Sequence, residues 1–387
     1  MRDGWIETKL GQYIHINTGK LDVNAASEFG DYPFFTCSRE TYRIDEAAFE
    51  GESVLVAGNG DLNVKYYDGK FNAYQRTYVL NSVDKKTLDN RFLFLFMQTY
   101  IEYLRSETRG TVIQYLKKGQ FTDAKIKLPP LPEQKRIVDL ISSVDSYIEA
   151  LQQQLDSAKK SRKAVLRELL TAGGIDWEES TLGDLISHSI GGIWGEEQGG
   201  AEVDVPVYRQ TEFSDSGILT TPAEAIRSVS KSQLKHRTLQ ESDILIQKSA
   251  GTPNLPGRVV SVPNLNGEVA TFSNFLNLLR PKTVKCIPRL AFLIFWDKHQ
   301  DGRAFQYQRG TNIKNLDLPS YLLETILIPS APDQKRIVEL ISTFDDFLAQ
   351  TNHSISLFEN LRSGLLSDLL SGEHEIPASY DKVIGAA

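Results

Sequence analysis

The side chains of this sequence that could act in catalysis are scattered, and none of them shows the spacing of a known catalytic motif. The six histidines form no HExxH pattern, and no G-x-S-x-G nucleophile elbow occurs. Walker A and G-x-G-x-x-G nucleotide loops are absent, as is any Asn-Pro-Pro-Tyr-like methyltransferase motif. The two cysteines, Cys37 and Cys286, lack metal-like spacing, which indicates unpaired thiols in a reducing, cytoplasmic compartment. We therefore expect a protein that is not an enzyme and holds no cofactor or metal of its own.

Composition and charge set limits on the class of protein. A chain of 387 residues with 41% hydrophobic residues has room for two or three domains, and it contains no run of 18 apolar residues that would predict a membrane span. The net charge of −7 argues at first against nucleic acid. The acidic excess, however, lies mostly in residues 332–387, with 4 basic and 9 acidic groups, whereas residues 1–130 carry 17 of each. Charge alone therefore leaves the question open.

The elements that must position any functional residues come in two copies. The segment LPEQKRIVDLISSVD at 131–145 returns as APDQKRIVELISTFD at 331–345, and ten of the fourteen positions after the first are identical. Upstream, the Arg-Gly-Thr segment at 109–111 returns at 309–311 with the same offset of 200. The openings WIETKLGQYI and WEESTLGDLI also match, with an offset of 172 between Trp5 and Trp177. These matches predict an internal duplication of one globular part followed by one helix.

The middles of the two globular parts read as β-rich, and we assign both parts to the α+β class. Runs such as SVLVAG at 53–58 and DILIQKS at 243–249 carry the β-branched and apolar residues typical of strands. Asp68-Gly69, between Tyr67 and Phe71, predicts a β-hairpin turn. The apolar segments at 91–106 and 289–298 predict a buried helix that closes each part.

Apolar residues then step in a four-three pattern along two long segments, which predicts a coiled-coil seam. Both stripes are broken at the same place, by Arg162 and by Arg362. The seam residues that we predict are Ile137, Ile141, Val144, Ile148, Leu151, Leu155 and Arg162 in the first segment, and Ile337, Ile341, Phe344, Leu348, Ile355 and Arg362 in the second.

Matched stripes predict that the two helices pair with each other, and antiparallel pairing would make a pseudo-two-fold arrangement of two globular parts. Matching the stripe ends places Arg162 opposite Phe344 and Arg362 opposite Val144. A buried guanidinium needs a carboxylate, so we predict that Arg162 pairs with Asp345 or Asp346, and Arg362 with Asp145. The alternative is that both arginines turn outward, to solvent or to a partner.

Three short motifs occur in both copies and are distributed along the whole chain. They are the W-x-x-x-x-L-G openings, the Arg-Gly-Thr segments and the P-x-Q-K-R-I-V helix starts. In these features the chain resembles the DNA-specificity subunits of type I restriction–modification systems. The resemblance implies two target-recognition domains that each read one half of a bipartite double-stranded DNA site. It also implies that a two-helix spacer sets the distance between the halves. The corresponding boundaries are recognition domains at 1–130 and 173–331, spacer helices at 131–172 and 332–372, and a tail at 373–387.

The same resemblance implies partners. Two methyltransferase subunits would dock on the chain, and a restriction–translocase subunit would join them, while no membrane is involved. S-adenosylmethionine, ATP and Mg²⁺ would then belong to those partner subunits and not to this chain. The alternative is an assembly scaffold: a relative that has lost DNA readout and only organises partner subunits.

Base readout requires arginine or lysine for guanine, asparagine or glutamine for adenine, and small hydroxyls as adaptable contacts. Such residues lie at predicted strand ends and turns in both parts. Arg109 and Arg309 recur in both copies, and because a shared residue cannot read two different sequences, they predict phosphate contacts or structural turns. The remaining DNA-binding candidates are Arg39, Asn59, Asn63, Lys65, Tyr66, Gln75 and Arg76 in the first part, and Arg209, Gln210, Gln247, Lys248, Ser249, Thr252, Asn254 and Asn274 in the second.

Overall fold

The computed structural model describes residues 4–107, 115–252 and 255–383. The chain divides into two compact units, of which the first spans Met1–Gln153 and Asn352–Ala387 and the second spans Gln154–Thr351. Each unit therefore combines one globular part with the beginning of one long helix and the end of the other. Among the described residues, no helix has both the length and the apolar character required to cross a membrane.

The first globular part is a mixture of strands and helices. Its elements are β1 Ile6–Lys9, β2 Ile14–Thr18, β3 Tyr32–Phe35, β4 Thr41–Ile44, β5 Phe49–Glu50, β6 Ser53–Ala57, β7 Val64–Tyr67, β8 Lys70–Ala73, β9 Thr77–Ser82, α1 Asn90–Glu107, α2 Lys118–Thr122 and β10 Lys125–Leu128. The strands form sheets with the orders β2-β9-β6-β7, β4-β3-β8-β5 and β1-β10. The apolar strand β6 is buried along its whole length, and α1 packs against its sheet.

The second globular part repeats this plan. After α3 Leu131–Thr171, its elements are β11 Glu178–Thr181, β12 Ile186–Gly191, β13 Val203–Tyr208, β14 Ile226–Val229, α4 Lys231–Leu234, β15 Ile244–Gln247, β16 Ser249–Ala250, β17 Val259–Ser261, β18 Thr271–Phe272, β19 Leu276–Pro281, α5 Pro288–Gln300, β20 Gln308–Arg309, β21 Lys314–Leu316, α6 Leu318–Leu322 and β22 Thr325–Ile328. The last described elements are α7 Ala331–Ser371 and α8 Tyr380–Val383. The sheet orders β12-β19-β15-β17 and β11-β22 match β2-β9-β6-β7 and β1-β10 of the first part. The sheet β14-β13-β18 matches β4-β3-β8 without a strand in the place of β5, and the second part also has the sheet β16-β21-β20. The duplication therefore extends through the middles, where the sequences differ.

The predicted hairpin at Asp68-Gly69 is wrong. Gly69 does take a positive φ of 144°, so the chain turns there. The flanking strands nevertheless belong to different sheets, because β7 pairs with β6 and β8 pairs with β3 and β5. A turn signal is local, whereas the pairing partner of each strand is set by the rest of the fold. The buried helices predicted at 91–106 and 289–298 are confirmed as α1 and α5.

A buried glutamine of the repeated motif connects each long helix to its globular part through hydrogen bonds to main-chain groups. The Gln134 side chain donates to the carbonyl oxygens of Pro129 and Thr87 and accepts from the Asp89 amide, just before α1. Gln334 does the same with Pro329 and Lys285, and it accepts from the Ile287 amide before α5. The glutamine thereby satisfies backbone groups where the chain enters α3 and α1, or α7 and α5. This role explains why the P-x-Q motif occurs in both copies.

The long helices begin at Leu131 and Ala331, one residue before the prolines of the motif, and each spans 41 residues. In the first unit, the start of α3 shares a core with the end of α7, including Ile137, Ile141 and Leu369. In the second unit, Leu166 near the end of α3 shares a core with Ile337 and its neighbours at the start of α7. Within each unit the two helices therefore run antiparallel, as the matched stripes predict.

The predicted pairing of the seam arginines is confirmed in both units. In the second unit, Arg162 Nε lies 2.6 Å from Asp345 Oδ1, and its guanidinium stacks 4.7 Å from the Trp296 ring centre. In the first unit, Arg362 forms a bidentate pair with Asp145 and donates to Gln98 Oε1 at 3.0 Å. Each arginine thus joins the seam to the helix that closes the globular part, which is α5 or α1.

Removal of the Asp345 carboxylate is expected to destabilise the second unit by about 3 kcal/mol, because a buried charge that loses its partner is costly. Asp345 also accepts from Arg289 at 2.6 Å, and the Arg162 side chain is only 6% exposed. We expect Asp345→Ala to lower the urea midpoint strongly. Asp346→Ala, at the exposed neighbouring position, is the matched control and should change stability by less than about 0.5 kcal/mol. Equal stability of the two variants would contradict a structural role of the pair.

Candidate nucleic-acid interface

In the first unit, loops from several strands converge at one end of the sheets. The Gly58 amide donates to the Arg76 carbonyl at 2.9 Å, and the Leu116 amide donates to the Gly58 carbonyl at 2.8 Å. The Tyr74 amide donates to the Phe35 carbonyl at 2.9 Å. These bonds hold together the segments 36–40, 58–63, 74–76 and 115–116, which we call loop cluster 1.

The second unit has a cluster with the same backbone bonds. The Lys248 amide donates to the Phe275 carbonyl, and the Leu316 amide donates to the Lys248 carbonyl, both at 2.8 Å. The Ser273 amide donates to the Tyr208 carbonyl, also at 2.8 Å. We call the segments 209–210, 248–252, 273–275 and 308–315 loop cluster 2. The bonds make Gly58 equivalent to Lys248, Arg76 to Phe275, and Leu116 to Leu316.

Equivalent positions of the two clusters carry different side chains. In loop cluster 1, the Arg76 guanidinium lies 4.6 Å from the ring centre of Tyr115, which is 61% exposed. The corresponding positions in loop cluster 2 are Phe275, which is 44% exposed, and Asn315, which accepts a hydrogen bond from the Ser249 hydroxyl. One backbone frame therefore presents an arginine and a tyrosine in one unit and a phenylalanine and an asparagine in the other.

Two candidates of the first unit, Asn63 and Lys65, brace the frame. The Asn63 amide nitrogen donates to the Cys37 and Asp61 carbonyls at 2.8 Å, and Lys65 Nζ donates to the Ser38 and Glu40 carbonyls at 2.8 and 3.0 Å. Burial lowers the pKa of Lys65. Because these donors are already engaged, the two side chains are suited to shaping the loop that carries Cys37 and Ser38.

The other candidates of the first unit lie in two places. Arg39 is exposed and its Nε pairs with Asp61 at 2.5 Å, which lowers the pKa of that carboxyl. Gln75 is exposed at the edge of loop cluster 1, and half-buried Asn59 follows Gly58. Tyr66 is separate: its hydroxyl donates to Glu52 at 2.9 Å, and burial raises its pKa to about 12. Arg109 lies outside the described residues.

The candidates of the second unit divide in the same way. Lys248, Thr252, Asn274 and Arg309 are exposed in loop cluster 2, where Ser249 is buried. Gln247 is 2% exposed and donates to the Ser249 carbonyl at 3.3 Å.

Two further candidates lie at segment 209–210 of loop cluster 2. Arg209 binds Glu212 at 3.0 Å and Glu224 at 2.6 Å, and the neighbouring Gln210 is half-buried. Asn254 lies outside the described residues.

The sequence analysis did not include Tyr115, Phe275 and Asn315 among the candidates. Tyr115 and Asn315 differ directly before the shared Leu116 and Leu316, so the offset of 200 already marked them as a variable position in a constant frame. No comparable signal marks Phe275, because its equivalence to Arg76 rests on backbone bonds that join distant strands.

A polar cleft of about 470 Å³ in the first unit adjoins Arg39. Its arginines are paired: Arg39 and Arg105 bind Asp61, and Arg362 binds Asp145. These pairs neutralise much of the positive charge in the cleft. Within the described ranges, no three His, Cys, Asp or Glu side chains come together as a metal site.

A family model described as "Type I restriction modification DNA specificity domain" matches this sequence twice, at residues 2–160 and 174–357. The chain belongs to this family. The two matches correspond to the two copies of the sequence repeat, so each unit carries most of one specificity domain. The family assignment accounts for the α+β parts, the long paired helices and the internal repeat.

Curated relatives and solved structures agree with the family. The chain is 40% identical over 166 residues to the type I restriction enzyme EcoDI specificity subunit of Escherichia coli, a match that covers 42% of this chain and 37% of that protein. It is 20% identical over 402 residues to the MjaVIII specificity subunit of Methanocaldococcus jannaschii, covering 96% and 93%. The fold matches the type I S subunit from M. genitalium, with a TM-score of 0.55, 17% identity and coverage of 95% and 96%. A structure described under the assembly and conformational transition of the type I R-M system matches with a TM-score of 0.59, 16% identity and coverage of 95% and 98%.

Proposed function

We propose that this specificity-domain protein is the DNA-reading subunit of a type I restriction–modification complex, and that each unit reads one half of a bipartite duplex site. The observation that carries the proposal is the constant backbone frame of the two loop clusters with different side chains at equivalent positions. A constant frame would approach DNA in the same way in both units, while different side chains would select different bases.

Within this proposal the exposed residues have distinct roles. Arg76 and Tyr115 would read bases for the first unit, and Phe275, Asn274 and Lys248 would do so for the second. Arg309, with an exposed guanidinium beside a glycine turn, would contact phosphate. Asn63 and Lys65 would act indirectly, by holding the loop that they brace.

The proposal also assigns the chemistry to other subunits. Two methyltransferase subunits would bind S-adenosylmethionine and methylate the site, and a restriction–translocase subunit would use ATP and Mg²⁺. The chain itself would supply sequence choice and a scaffold. All these components would act on DNA in the cytoplasm.

Arg76→Ala is expected to weaken discrimination in one half of the target only. Loss of one good base contact costs about 1–3 kcal/mol, so methylation should spread to sites with a changed base in that half. Phe275→Ala should weaken base discrimination in the other half of the target. Lys86→Ala is a matched control, because Lys86 is an exposed cation beyond the opposite end of β9. The measurement is methylation of a randomised-site library by the variant together with its methyltransferase.

Two results would contradict this assignment. If Arg76→Ala and Phe275→Ala relaxed the same half, the two loop clusters would not read separate halves. If neither changed any base preference while the complex still assembled, the chain would be a scaffold without DNA readout.

A further inference from the structure

The C-terminal tail fills a site in the first unit. Trp5 Nε1 donates to Glu133 at 2.9 Å at the start of α3, and Gly372 packs against the Trp5 ring. Beyond Gly372, the tail folds back over this place, and Ile376 is buried in the same core as Trp5. Trp5 is only 5% exposed.

An arginine anchors the end of the tail. Arg136, one helical turn after Glu133, binds Asp381 through Nε at 2.7 Å and through a terminal nitrogen at 2.8 Å. Tyr380, directly before this aspartate, packs against the same core. A bidentate arginine–carboxylate pair adds orientation as well as energy, so the tail is held by an aliphatic residue, an aromatic residue and a carboxylate.

The second unit contains the same site without the tail. Trp177 Nε1 donates to Asp333 at 2.9 Å, as Trp5 does to Glu133, and Gly174 lies against the Trp177 ring. Arg336 stands three residues after Asp333, in the position of Arg136. Trp177 is half-buried rather than buried, and Arg336 is exposed, whereas the Arg136 side chain is only 15% exposed. We call the surface of Trp177, Leu327 and Arg336 the open tail site.

The surface around the open tail site is also more apolar than its counterpart. Leu327 is 46% exposed, and the residue that corresponds to it in the first unit is Lys127, which donates to the Ser371 carbonyl at 2.8 Å. Ile175 nearby is fully exposed. A half-buried tryptophan, two exposed aliphatic side chains and an arginine are together complementary to the chemistry that the tail presents in the first unit.

Among the described residues, no segment covers the open tail site as the tail covers the first, since Leu327 and Arg336 are exposed. The chain passes from the end of α3 to β11 through residues 172–177 and continues into the sheet. The tail of a second copy would have to leave an equivalent site of its own and would gain no new kind of contact. The occupant that fits is therefore a segment of a different protein.

We propose that the open tail site binds a segment of a partner protein that carries an aliphatic residue followed, five residues later, by a carboxylate next to an aromatic ring. This is the pattern of Ile376, Tyr380 and Asp381. The aliphatic residue packs beside Trp177 and Leu327, and the carboxylate binds Arg336. The proposal is independent of DNA reading.

A labelled synthetic peptide with the sequence of residues 372–387 is a direct probe. We expect it to bind the full-length chain at one site, measured by fluorescence anisotropy and isothermal titration. Arg336→Glu should weaken binding at least tenfold, because it replaces the cation that receives the carboxylate. Lys335→Glu is the matched control: it makes the same charge change at the adjacent exposed position and should weaken binding by less than about twofold. A peptide in which Asp381 is replaced by asparagine should also bind weakly.

A chain that ends at Gly372 is expected to bind two peptides, one in each unit. The proposal is overturned if the full-length chain binds none, or if its binding is lost equally in the Arg336 and Lys335 variants. It is also overturned if the truncated chain binds only one peptide and Arg336→Glu leaves that binding unchanged. Because Arg336 and Lys335 are both exposed, circular dichroism should show that both variants keep the fold.

Discussion

Replacement of residues 15–105 by the corresponding segment of a relative with a different target is expected to change one half of the recognised sequence and to leave the other half unchanged. The segment carries most of loop cluster 1 and ends within α1, while both long helices stay as they are. Backbone contacts between the exchanged segment and the rest of the unit should be kept in the hybrid; one example is the hydrogen bond from the Asp89 amide to the Gln134 side chain. Sequencing of methylated sites in cells that express the hybrid and its methyltransferase gives the result.

Exchange of residues 187–303 in the second unit is the reciprocal control, because it should change only the other half. A hybrid in which both halves change, or in which the half that changes is the same for both exchanges, would contradict independent reading by the two units. Loss of all methylation would instead point to failed folding, and urea unfolding of the hybrid would reveal it.

Deletion of one heptad from each long helix is expected to shorten the unspecified spacer between the two half-sites. Removal of residues 151–157 and 350–356 takes out segments that face each other in the register set by Arg162 with Asp345. Seven residues keep the apolar stripe in phase and shorten each helix by about 10 Å, or roughly 3 bp along B-DNA. The methylated sequences of the variant should show the same two half-sites with fewer base pairs between them.

Deletion of the same seven residues from only one helix is the matched control. It breaks the pairing of the stripes, so we expect methylation of the target to be lost and the protein to be less stable. An unchanged spacer in the double deletion would show that the paired helices do not set the distance between the half-sites.

The long helices and their register could be predicted from sequence, because both depend on periodicity and on a repeat. The four-three spacing of apolar residues predicts the helix and its buried face, and matching the ends of the two repeated stripes predicts the antiparallel register to within one residue. The interruption of both stripes by Arg162 and Arg362 then predicted carboxylate partners, and Asp345, Asp346 and Asp145 stand beside the facing positions in that register. Each step uses local chemistry together with an internal symmetry.

The sheets could not be predicted to the same extent, because strand pairing joins residues that are distant in sequence. Asp68-Gly69 marks a turn correctly, yet β7 and β8 on either side of it enter different sheets. The middles of the two parts share a topology that their sequences do not reveal, since different apolar residues fill equivalent core positions. The common backbone frame of the loop clusters was hidden for the same reason.

The sequence identified residue types that are suited to DNA contact, but not which of their polar atoms are already hydrogen-bonded within the protein. Lys65 and Asn63 have side chains suited to base readout, but their donors bind main-chain carbonyls. Tyr66 lies away from loop cluster 1 and packs against α1, where its ring centre is 6.0 Å from that of Phe94. Type and spacing reveal what a side chain can do, and only the fold reveals whether its polar atoms are already engaged.

The most direct test of the account is the methylated sequence itself. Single-molecule sequencing of DNA from cells that carry this chain with its methyltransferase should find one asymmetric target with two short specified blocks and a fixed unspecified spacer. A strain with the methyltransferase but without this chain should lack that methylation. A single continuous motif, a palindrome, or methylation that is the same in both strains would contradict the central claim that two different units of one chain read two halves of one site.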